Sequence, residues 1–262
     1  MTRGWERQLE QEGITRAVWE RAAAIITTVV TGQHLTRAEL ADHLAMEGLS
    51  ITGHALMLVT GFAELHGLIC SGASRDDQHT YALFHERVSH TRRLDPDVAR
   101  AELVTRYITD HGPATERDIA YWATMTLRDV RAGLADNADL LNRFEIDGDT
   151  YWHTPGAPDG DVVEPQAHLL QILDEYYRGY QHTRGVLDVA GRKSMAGREE
   201  SVGMTIVDSQ IVGDMKRTVG ANYVTFDVRL LRNVTDVETT AVHEAASRYG
   251  RYLNRTPTLK FT

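Results

Sequence analysis

A pattern of helices and strands that occurs twice constrains the fold of this chain most strongly. The first copy spans residues 35–83 and the second spans residues 113–153. Each copy contains a short capped helix, a tight break, a second amphipathic helix and two short strands around a polar turn. This order is typical of a winged helix-turn-helix unit, whose second helix commonly enters the major groove of DNA. A further helix is predicted before each copy, over residues 17–30 and 98–110.

In the first copy, residues that commonly cap helices precede both predicted helices. Thr36 and Glu39 have the spacing of a capping box at the start of the first helix. Ser50 or Thr52 can cap the second helix. The apolar stripe of that helix is predicted to consist of Ala55, Leu58, Val59, Phe62 and Leu65. The two strands of the wing are predicted over residues 68–70 and 80–84.

The second copy repeats these signals with different residues. Pro113 and Thr115 can open its first helix, and Thr126 can cap its second helix. Arg128 and Arg131 lie three residues apart on that second helix, so they can share an outward face. The inward-facing residues of the two helices are predicted to be Ile119, Trp122, Ala123, Val130 and Leu134. The hairpin of the wing is predicted over residues 144–146 and 150–153.

The rest of the chain differs in kind from the repeat. After a linker rich in Pro, Gly and Asp, alternating residues predict three strands and then an amphipathic helix. These strands are predicted over residues 202–207, 210–216 and 223–231, and the helix over residues 236–253. We therefore expect an α+β protein with tandem winged helix-turn-helix units and a C-terminal, mainly β unit closed by a helix. The expected boundaries are residues 1–92, 93–156 and 157–262.

The overall charge argues against tight nonspecific binding of nucleic acid. The sequence has 28 Lys and Arg against 37 Asp and Glu, a formal net charge of −9. Affinity for DNA depends largely on attraction to its phosphates. Residues 184–232 are locally basic, with eight Lys and Arg against six Asp and Glu. Binding of DNA is therefore expected to depend on local patches, while the acidic balance also fits a protein-interaction module.

The sequence offers little for metal or membrane binding. Cys70 is the only cysteine, so the chain cannot form an intrachain disulfide, and a reducing cytoplasm is the expected location. Seven of the twelve histidines lie between His34 and His90, but none has the helical HExxH spacing of a zinc site. No run is long and apolar enough to span a membrane. We therefore predict no metal, no cofactor and no contact with a membrane.

Three stretches give the chain a resemblance to a known family. Residues 112–134 begin with GPATERD, residues 169–188 contain DEYYRGYQHTR, and residues 207–217 read VDSQIVGDMKR. Together they resemble the winged-helix DNA-binding family that includes the AlkZ-like bacterial DNA glycosylases. The third stretch departs from the family pattern, because Ser209 and Gln210 stand where the family has its usual turn. The matching residues of the second stretch are Asp174, Glu175, Tyr176, Gly179, Tyr180 and Arg184.

The resemblance also implies a catalytic motif that this sequence lacks. Glycosylases of the family carry a Gln-x-Gln or Gln-x-Asp motif in an N-terminal winged-helix region. None of the eight glutamines of this chain has Gln or Asp two residues further on. Two explanations stay open: a shortened form, which the opening residues favour, and a family branch that binds DNA without cutting a glycosidic bond. A shortened form would expose a surface that the missing region covers, so self-association is a further expectation.

Three hypotheses about function follow from the resemblance. The first is a tandem winged-helix protein that binds double-stranded DNA and has no catalytic activity in this form. The second is a functional DNA glycosylase acting on alkylated or crosslinked bases, if an N-terminal segment is missing. The third is a winged-helix module for protein interaction. Whether the chain is an enzyme stays open, and we assign no catalytic residue.

The residues that would contact DNA are predicted from their places in these units. Side chains at the start of each second helix can face a groove, and basic residues near the wings and the C-terminal hairpin can reach phosphates. The candidates are Thr52, His54, Arg75, Thr126, Arg128, Arg131, Arg143, Lys216 and Arg217. For each, a solvated surface residue is the alternative. Asp174 and Arg184 are assigned a structural role, with Asp174 expected to pair with Arg178 or Arg184.

Overall fold

The protein is described by a computed structural model that covers residues 2–76, 78–156, 166–189 and 202–262. It is a mixed α+β protein that divides into two compact units, Met1–Leu94 and Asp95–Thr262. The second unit contains both the second copy of the repeat and the C-terminal β region. Within the described ranges, no helix combines the length and the apolar character that crossing a membrane requires.

The first unit consists of five helices and a three-stranded sheet in the described residues. Its sheet is antiparallel in the order β1 (Leu35–Thr36), β3 (Thr80–Leu83) and β2 (Ile69–Ser71), so the short first strand pairs with the second strand of the hairpin. The core is formed by fully buried side chains that include Ile26, Leu40, Leu44, Leu58 and Ile69. The elements are α1 (Thr2–Gln11), α2 (Arg16–Val29), β1 (Leu35–Thr36), α3 (Arg37–Met46), α4 (Gly53–Leu65), β2 (Ile69–Ser71), β3 (Thr80–Leu83) and α5 (Phe84–Arg87).

The start of α3 confirms the predicted capping box, whereas the predicted stripe of α4 is partly wrong. The Thr36 hydroxyl accepts a hydrogen bond from the Glu39 amide at 3.3 Å, and the Glu39 carboxylate accepts one from the Thr36 amide at 2.7 Å. Thr52 holds the N-cap position of α4 but makes no side-chain cap hydrogen bond. Leu65 is 44% exposed. It follows the buried Ala63 by two residues and therefore lies nearly opposite it on the helix.

The second unit begins with three helices and a hairpin. The Thr115 and Thr126 side chains cap the second and third of these helices, as predicted. Asp147 and Gly148 both have positive φ at the hairpin turn, 53° and 84°, which is the geometry that two-residue hairpin turns prefer. These elements are α6 (Pro96–His111), α7 (Glu116–Trp122), α8 (Leu127–Asp136), β4 (Asn142–Ile146) and β5 (Asp149–His153). Their shared core includes Val104, Ile108, Ile119, Val130 and Leu134.

The C-terminal part of this unit is a five-stranded sheet in the order β10 (Thr256–Phe261), β9 (Tyr223–Leu230), β8 (Gln210–Val219), β7 (Val202–Val207) and β6 (Ala167–Leu170). The long helix α10 has the predicted bounds and packs Val242 and its neighbours against Phe226 and Val228 on one face of the sheet. The last strand, β10, pairs in parallel with β9 and was not predicted. The elements are β6 (Ala167–Leu170), α9 (Glu175–Arg178), a 3-10 turn (Arg184–Leu187), β7 (Val202–Val207), β8 (Gln210–Val219), β9 (Tyr223–Leu230), α10 (Asp236–Leu253) and β10 (Thr256–Phe261).

Candidate nucleic-acid interface

Helix α4 of the first unit presents little positive charge. Thr52 and His54 line a shallow concave surface of about 590 Å³ that α4 shares with α3. The Nδ1 atom of His54 lies 2.7 Å from a carboxylate oxygen of Glu12, and the histidine side chain is 58% exposed. Among the residues that the structure describes, Arg37 is the only Lys or Arg that lines this surface, and its Nη2 donates to the Tyr81 hydroxyl at 2.9 Å. The structure therefore brings Thr52 and His54 together at a nearly uncharged face.

The predicted wing residue Arg75 is held by an acid of its own unit. Its guanidinium forms an ion pair with the carboxylate of Glu39 at the start of α3. The pKa of Glu39 is lowered to about 2 by the hydrogen bond from the Thr36 amide and by those from Arg75 and the Thr36 hydroxyl. The pair fixes the connection between β2 and β3 to α3, so Arg75 would have to leave Glu39 before it could reach a phosphate.

Helix α8 of the second unit carries two arginines, of which one forms an ion pair and the other does not. Arg131 forms a two-point ion pair with Glu116 of α7, with nitrogen–oxygen distances of 2.6 and 2.8 Å. This pair raises the pKa of Arg131 and lowers that of Glu116. Arg128 is exposed and forms no ion pair or hydrogen bond with the residues that the structure describes. At the start of the helix, the Thr126 hydroxyl donates to Asp129 at 2.6 Å and accepts from its amide.

The remaining basic candidates lie on separate surfaces. The guanidinium carbon of Arg143 lies 5.5 Å from the centre of the Trp152 ring on the β4–β5 hairpin. Lys216 and Arg217 are neighbours inside β8, so their side chains project to opposite faces of the sheet. Arg217 donates to the Tyr249 hydroxyl on the face that α10 covers, and Lys216 is exposed on the other face. These two residues therefore do not form one basic patch.

Asp118 joins two of the stretches that carry the family resemblance. Its buried carboxylate completes the capping box of α7, where Oδ2 accepts from the hydroxyl and the amide of Thr115 at 2.7 and 3.2 Å. Oδ1 accepts from the amides of Gln181, His182 and Thr183 at 2.9, 2.7 and 3.1 Å. Burial alone would raise the pKa of Asp118, but these hydrogen bonds outweigh burial and lower the pKa. The GPATERD and DEYYRGYQHTR stretches thus meet at one carboxylate.

Tyrosine hydroxyls also connect the DEYYRGYQHTR stretch to helix α6. Tyr107 is buried in α6 and donates to the Gly179 carbonyl at 2.8 Å, while Tyr180 donates to the His111 carbonyl at 2.7 Å. The rings of Tyr107 and His111 stack with their centres 4.5 Å apart, and the His111 Nε2 atom lies 3.2 Å from Glu175. The segment that carries Tyr180 is therefore packed firmly against α6 and α7.

Asp174 and Arg184 both stabilise this segment, but not through the expected ion pair. Within the described residues, Asp174 pairs with neither Arg178 nor Arg184, because its carboxylate is turned towards the start of its own helix. There it accepts a hydrogen bond from the Tyr176 amide at 3.0 Å. Arg184 instead donates to the Tyr177 carbonyl at 3.0 Å and lies 4.3 Å above the ring of that tyrosine.

The acids that decide which basic side chains are available could not be recognised from the sequence pattern. Glu116 and Glu39 hold Arg131 and Arg75, and each acid lies on the first helix of its copy of the repeat. The i,i+3 capping pattern identified Glu39 as a capping residue, but no local signal indicated its distant partner. The sequence contains Asp118 as the last residue of the GPATERD stretch, but no pattern indicated that its carboxylate binds a distant segment. Within the described residues, no group of three or more His, Cys, Asp and Glu side chains could hold a metal ion.

The fold and the site together define a class of mixed α+β protein in which a doubled helix–helix–hairpin pattern precedes a five-stranded sheet. The family model described as DNA glycosylase AlkZ-like matches residues 1–252, so the chain belongs to the AlkZ-like DNA glycosylase family. Among solved structures, it is similar to Streptomyces sahachiroi DNA glycosylase AlkZ, with a TM-score of 0.70 and 17% sequence identity. That similarity covers 99% of this chain and 72% of the other, and it shows a shared fold. No curated protein matches the chain.

Proposed function

We propose that this protein binds double-stranded DNA through two winged-helix units. The observation that carries the proposal is the doubled order of a capped helix, a second helix and an antiparallel hairpin, in α3–α4–β2–β3 and again in α7–α8–β4–β5. In proteins with this arrangement, the second helix commonly enters the major groove while the first crosses the phosphate backbone. Membership of a DNA glycosylase family supports DNA as the partner.

The two units contribute unequally in this proposal. Helix α8 carries Arg128, which is exposed and has no ion-pair partner among the described residues, and it also carries Arg131. Helix α4 contains neither Lys nor Arg. Since phosphate contacts supply most of the affinity for DNA, the second unit provides the larger share of the binding free energy. The first unit adds the polar side chains of Thr52 and His54.

The proposal includes no cleavage of a glycosidic bond by this form of the protein. It rests on the sequence, in which no glutamine is followed by Gln or Asp two residues on. Base excision from alkylated or crosslinked DNA is the second candidate function. The observation that favours it is the family match, which extends over residues 1–252.

Fluorescence anisotropy with a labelled duplex tests the proposed DNA binding. We expect binding at low salt, with the logarithm of the association constant falling linearly as the logarithm of the salt concentration rises between roughly 50 and 200 mM. Arg251→Ala, on the exposed side of α10, serves as a control that should leave the affinity unchanged. Absence of binding at the lowest salt would overturn the proposal and favour a module for protein interaction.

A base-release assay separates the two candidate functions. A duplex that contains N7-methylguanine is incubated with the protein, and free base is measured after the protein is removed. We expect binding of this duplex without release of the base. Release above that of a protein-free sample would establish excision and would overturn the proposed absence of catalysis, while leaving DNA binding intact.

A further inference from the structure

The hairpin of the second unit has an open edge. Within the described residues, strand β4 (Asn142–Ile146) pairs only with β5, so its other edge is free. All five of its residues are exposed. In the part of the chain that the structure describes, no hydrogen bond from another segment reaches this edge. An edge of this kind can accept a strand of another molecule.

The backbone groups of Arg143 and Glu145 point towards this free edge. Trp152, the partner of Arg143 in β5, uses its amide and its carbonyl to bind Ala114 on the far side of β5, at 2.8 and 3.0 Å. Arg143 and Trp152 are therefore a pair without mutual backbone hydrogen bonds. Such pairs alternate with hydrogen-bonded pairs along an antiparallel ladder, so Glu145 has the same orientation as Arg143. The edge thus offers two amides and two carbonyls to a further strand.

A second copy of the same strand is complementary to this edge in one register. Antiparallel pairing centred on Phe144 places Arg143 opposite Glu145 of the second copy, and the two-fold axis repeats this pair on the other side. Pairing centred on Arg143 or on Glu145 would instead place like charges directly opposite each other, which is destabilising. Glu145 forms no ion pair with the residues that the structure describes, so its charge is available for this contact.

The other face of β4 is apolar and fits the same register. Phe144 and Ile146 alternate onto the face opposite to the two charged side chains, and they are 38% and 52% exposed. The Phe144 ring stacks on Tyr151 of β5 with ring centres 5.4 Å apart. Pairing centred on Phe144 brings the two copies of this ring together with one Tyr151 on each side. Four aromatic rings would then form a continuous row across the joined sheet.

We propose that β4 pairs with β4 of a second copy of this chain, which gives a symmetric dimer joined by a four-stranded antiparallel sheet. Two pairs of Arg143 and Glu145 exchange backbone hydrogen bonds and form ion pairs across the two-fold axis. The two Phe144 rings pack against each other on the opposite face. Because the paired strands are short, the interface is small, and the dimer is weak, with a dissociation constant of about 1 µM or higher.

Sedimentation equilibrium of the full chain without DNA tests the proposal. From about 1 to about 500 µM, we expect the average mass to rise from that of the 29.3 kDa monomer towards twice that value. Glu145→Arg places like charges opposite each other in both pairs, so it should lower the association constant at least roughly tenfold. Glu244→Arg, the same charge change on the exposed side of α10, should leave it unchanged. A monomer at all concentrations would overturn the proposal and leave this edge for a strand of a different protein.

Charge reversal on both sides of the interface tests the register. Arg143→Glu should weaken the dimer by itself, because glutamates then face each other. When this variant is mixed with Glu145→Arg, a mixed dimer should form, since each introduced charge faces an opposite charge. A chain that carries both substitutions should again dimerise with itself.

Thermal melts of the two single variants should match the unsubstituted protein, because both side chains are exposed. Failure of both the mixture and the double variant to associate would overturn the proposed pairing. Neither result depends on the anisotropy measurements, since duplex DNA is absent from these experiments.

Discussion

The two copies of the repeated pattern carry an acidic residue at the same place, and the two acids have different partners. Glu39 of α3 and Asp118 of α7 both complete a capping box with the threonine three residues before them. Glu39 is 39% exposed and also binds Arg75 in the connection between β2 and β3. Asp118 is fully buried and also binds three consecutive backbone amides more than sixty residues away in the sequence.

Because one of these equivalent residues is exposed and the other is buried, we expect them to contribute unequally to the stability of the fold. When an exposed ion pair is removed, water solvates the charge that remains, and stability changes little. When a buried carboxylate is removed, the amides that it served lose their acceptor and water cannot replace it. The first copy therefore uses its acid to fasten a surface loop, whereas the second copy uses its acid to anchor a chain segment of the C-terminal region.

The largest expected effect comes from removing the charge of Asp118. Asp118→Asn places an amide group, which is a poorer acceptor and a donor on one side, among five hydrogen-bond donors. We expect the free energy of unfolding of the second unit to fall by about 3 kcal/mol. Urea denaturation followed by fluorescence measures it, with the exposed Asp110→Asn as control. An equal, small effect of both substitutions would contradict the anchoring role of Asp118.

The pH dependence of stability is a second way to test the role of Asp118. The pKa of Asp118 in the folded protein lies below its ordinary value of 3.8. Its ionised form therefore stabilises the fold above that value, and the stabilisation is lost as the pH falls through the folded-state pKa. We expect the stability difference between the unsubstituted protein and Asp118→Asn to shrink in strong acid. Urea melts at neutral and acidic pH test this; a difference that grows on acidification would contradict it.

The two arginines of α8 should differ in their contribution to DNA binding. Arg128→Ala should weaken binding several-fold and reduce the salt slope by about 0.9, the value for one lost phosphate contact. Arg131→Ala should have a smaller effect, because Glu116 already holds its guanidinium. Glu116→Gln should strengthen binding by releasing Arg131. Anisotropy titrations at several salt concentrations measure all three, and a larger loss for Arg131→Ala than for Arg128→Ala would contradict this order.

The smallest effect is expected at Glu39. Glutamine can still complete a capping box, so Glu39→Gln removes only the ion pair with Arg75. The loss in stability should be clearly smaller than that of Asp118→Asn in the same denaturation experiment. The contribution of the Glu39 charge should disappear as the pH falls from 4.5 towards about 2, since its folded-state pKa is lowered to about 2. A loss as large as that of Asp118→Asn would show that the two copies do not differ in this respect.

Local signals in the sequence were sufficient for much of the fold but not for the site. The Thr36 and Glu39 box, the Thr126 cap and the Asp147 and Gly148 turn depend on neighbouring residues, and the structure confirms them. The availability of a basic side chain depends instead on residues far along the chain. Arg75 meets an acid 36 residues earlier in the sequence, which no spacing rule could indicate.

The strand β10 escaped prediction for a related reason. Its side chains alternate, with Pro257 and Leu259 half-buried between exposed Thr256, Thr258 and Lys260. A proline in so short a run argues against a central strand. At the edge of a sheet, however, the missing amide costs nothing on the side that faces solvent. The parallel pairing with β9 depends on α10 returning the chain to that edge, which is a tertiary event.

The position of β10 has a practical consequence for anyone who shortens this protein. The family match ends at residue 252, and β10 (Thr256–Phe261) lies beyond it. Six residues of this strand pair with β9. A fragment cut at the end of the match would leave β9, with its apolar Val224, Phe226 and Val228, as an open edge on which strands of other molecules could assemble. Strand β10 covers this edge of β9, so a purification tag should not replace residues 256–261.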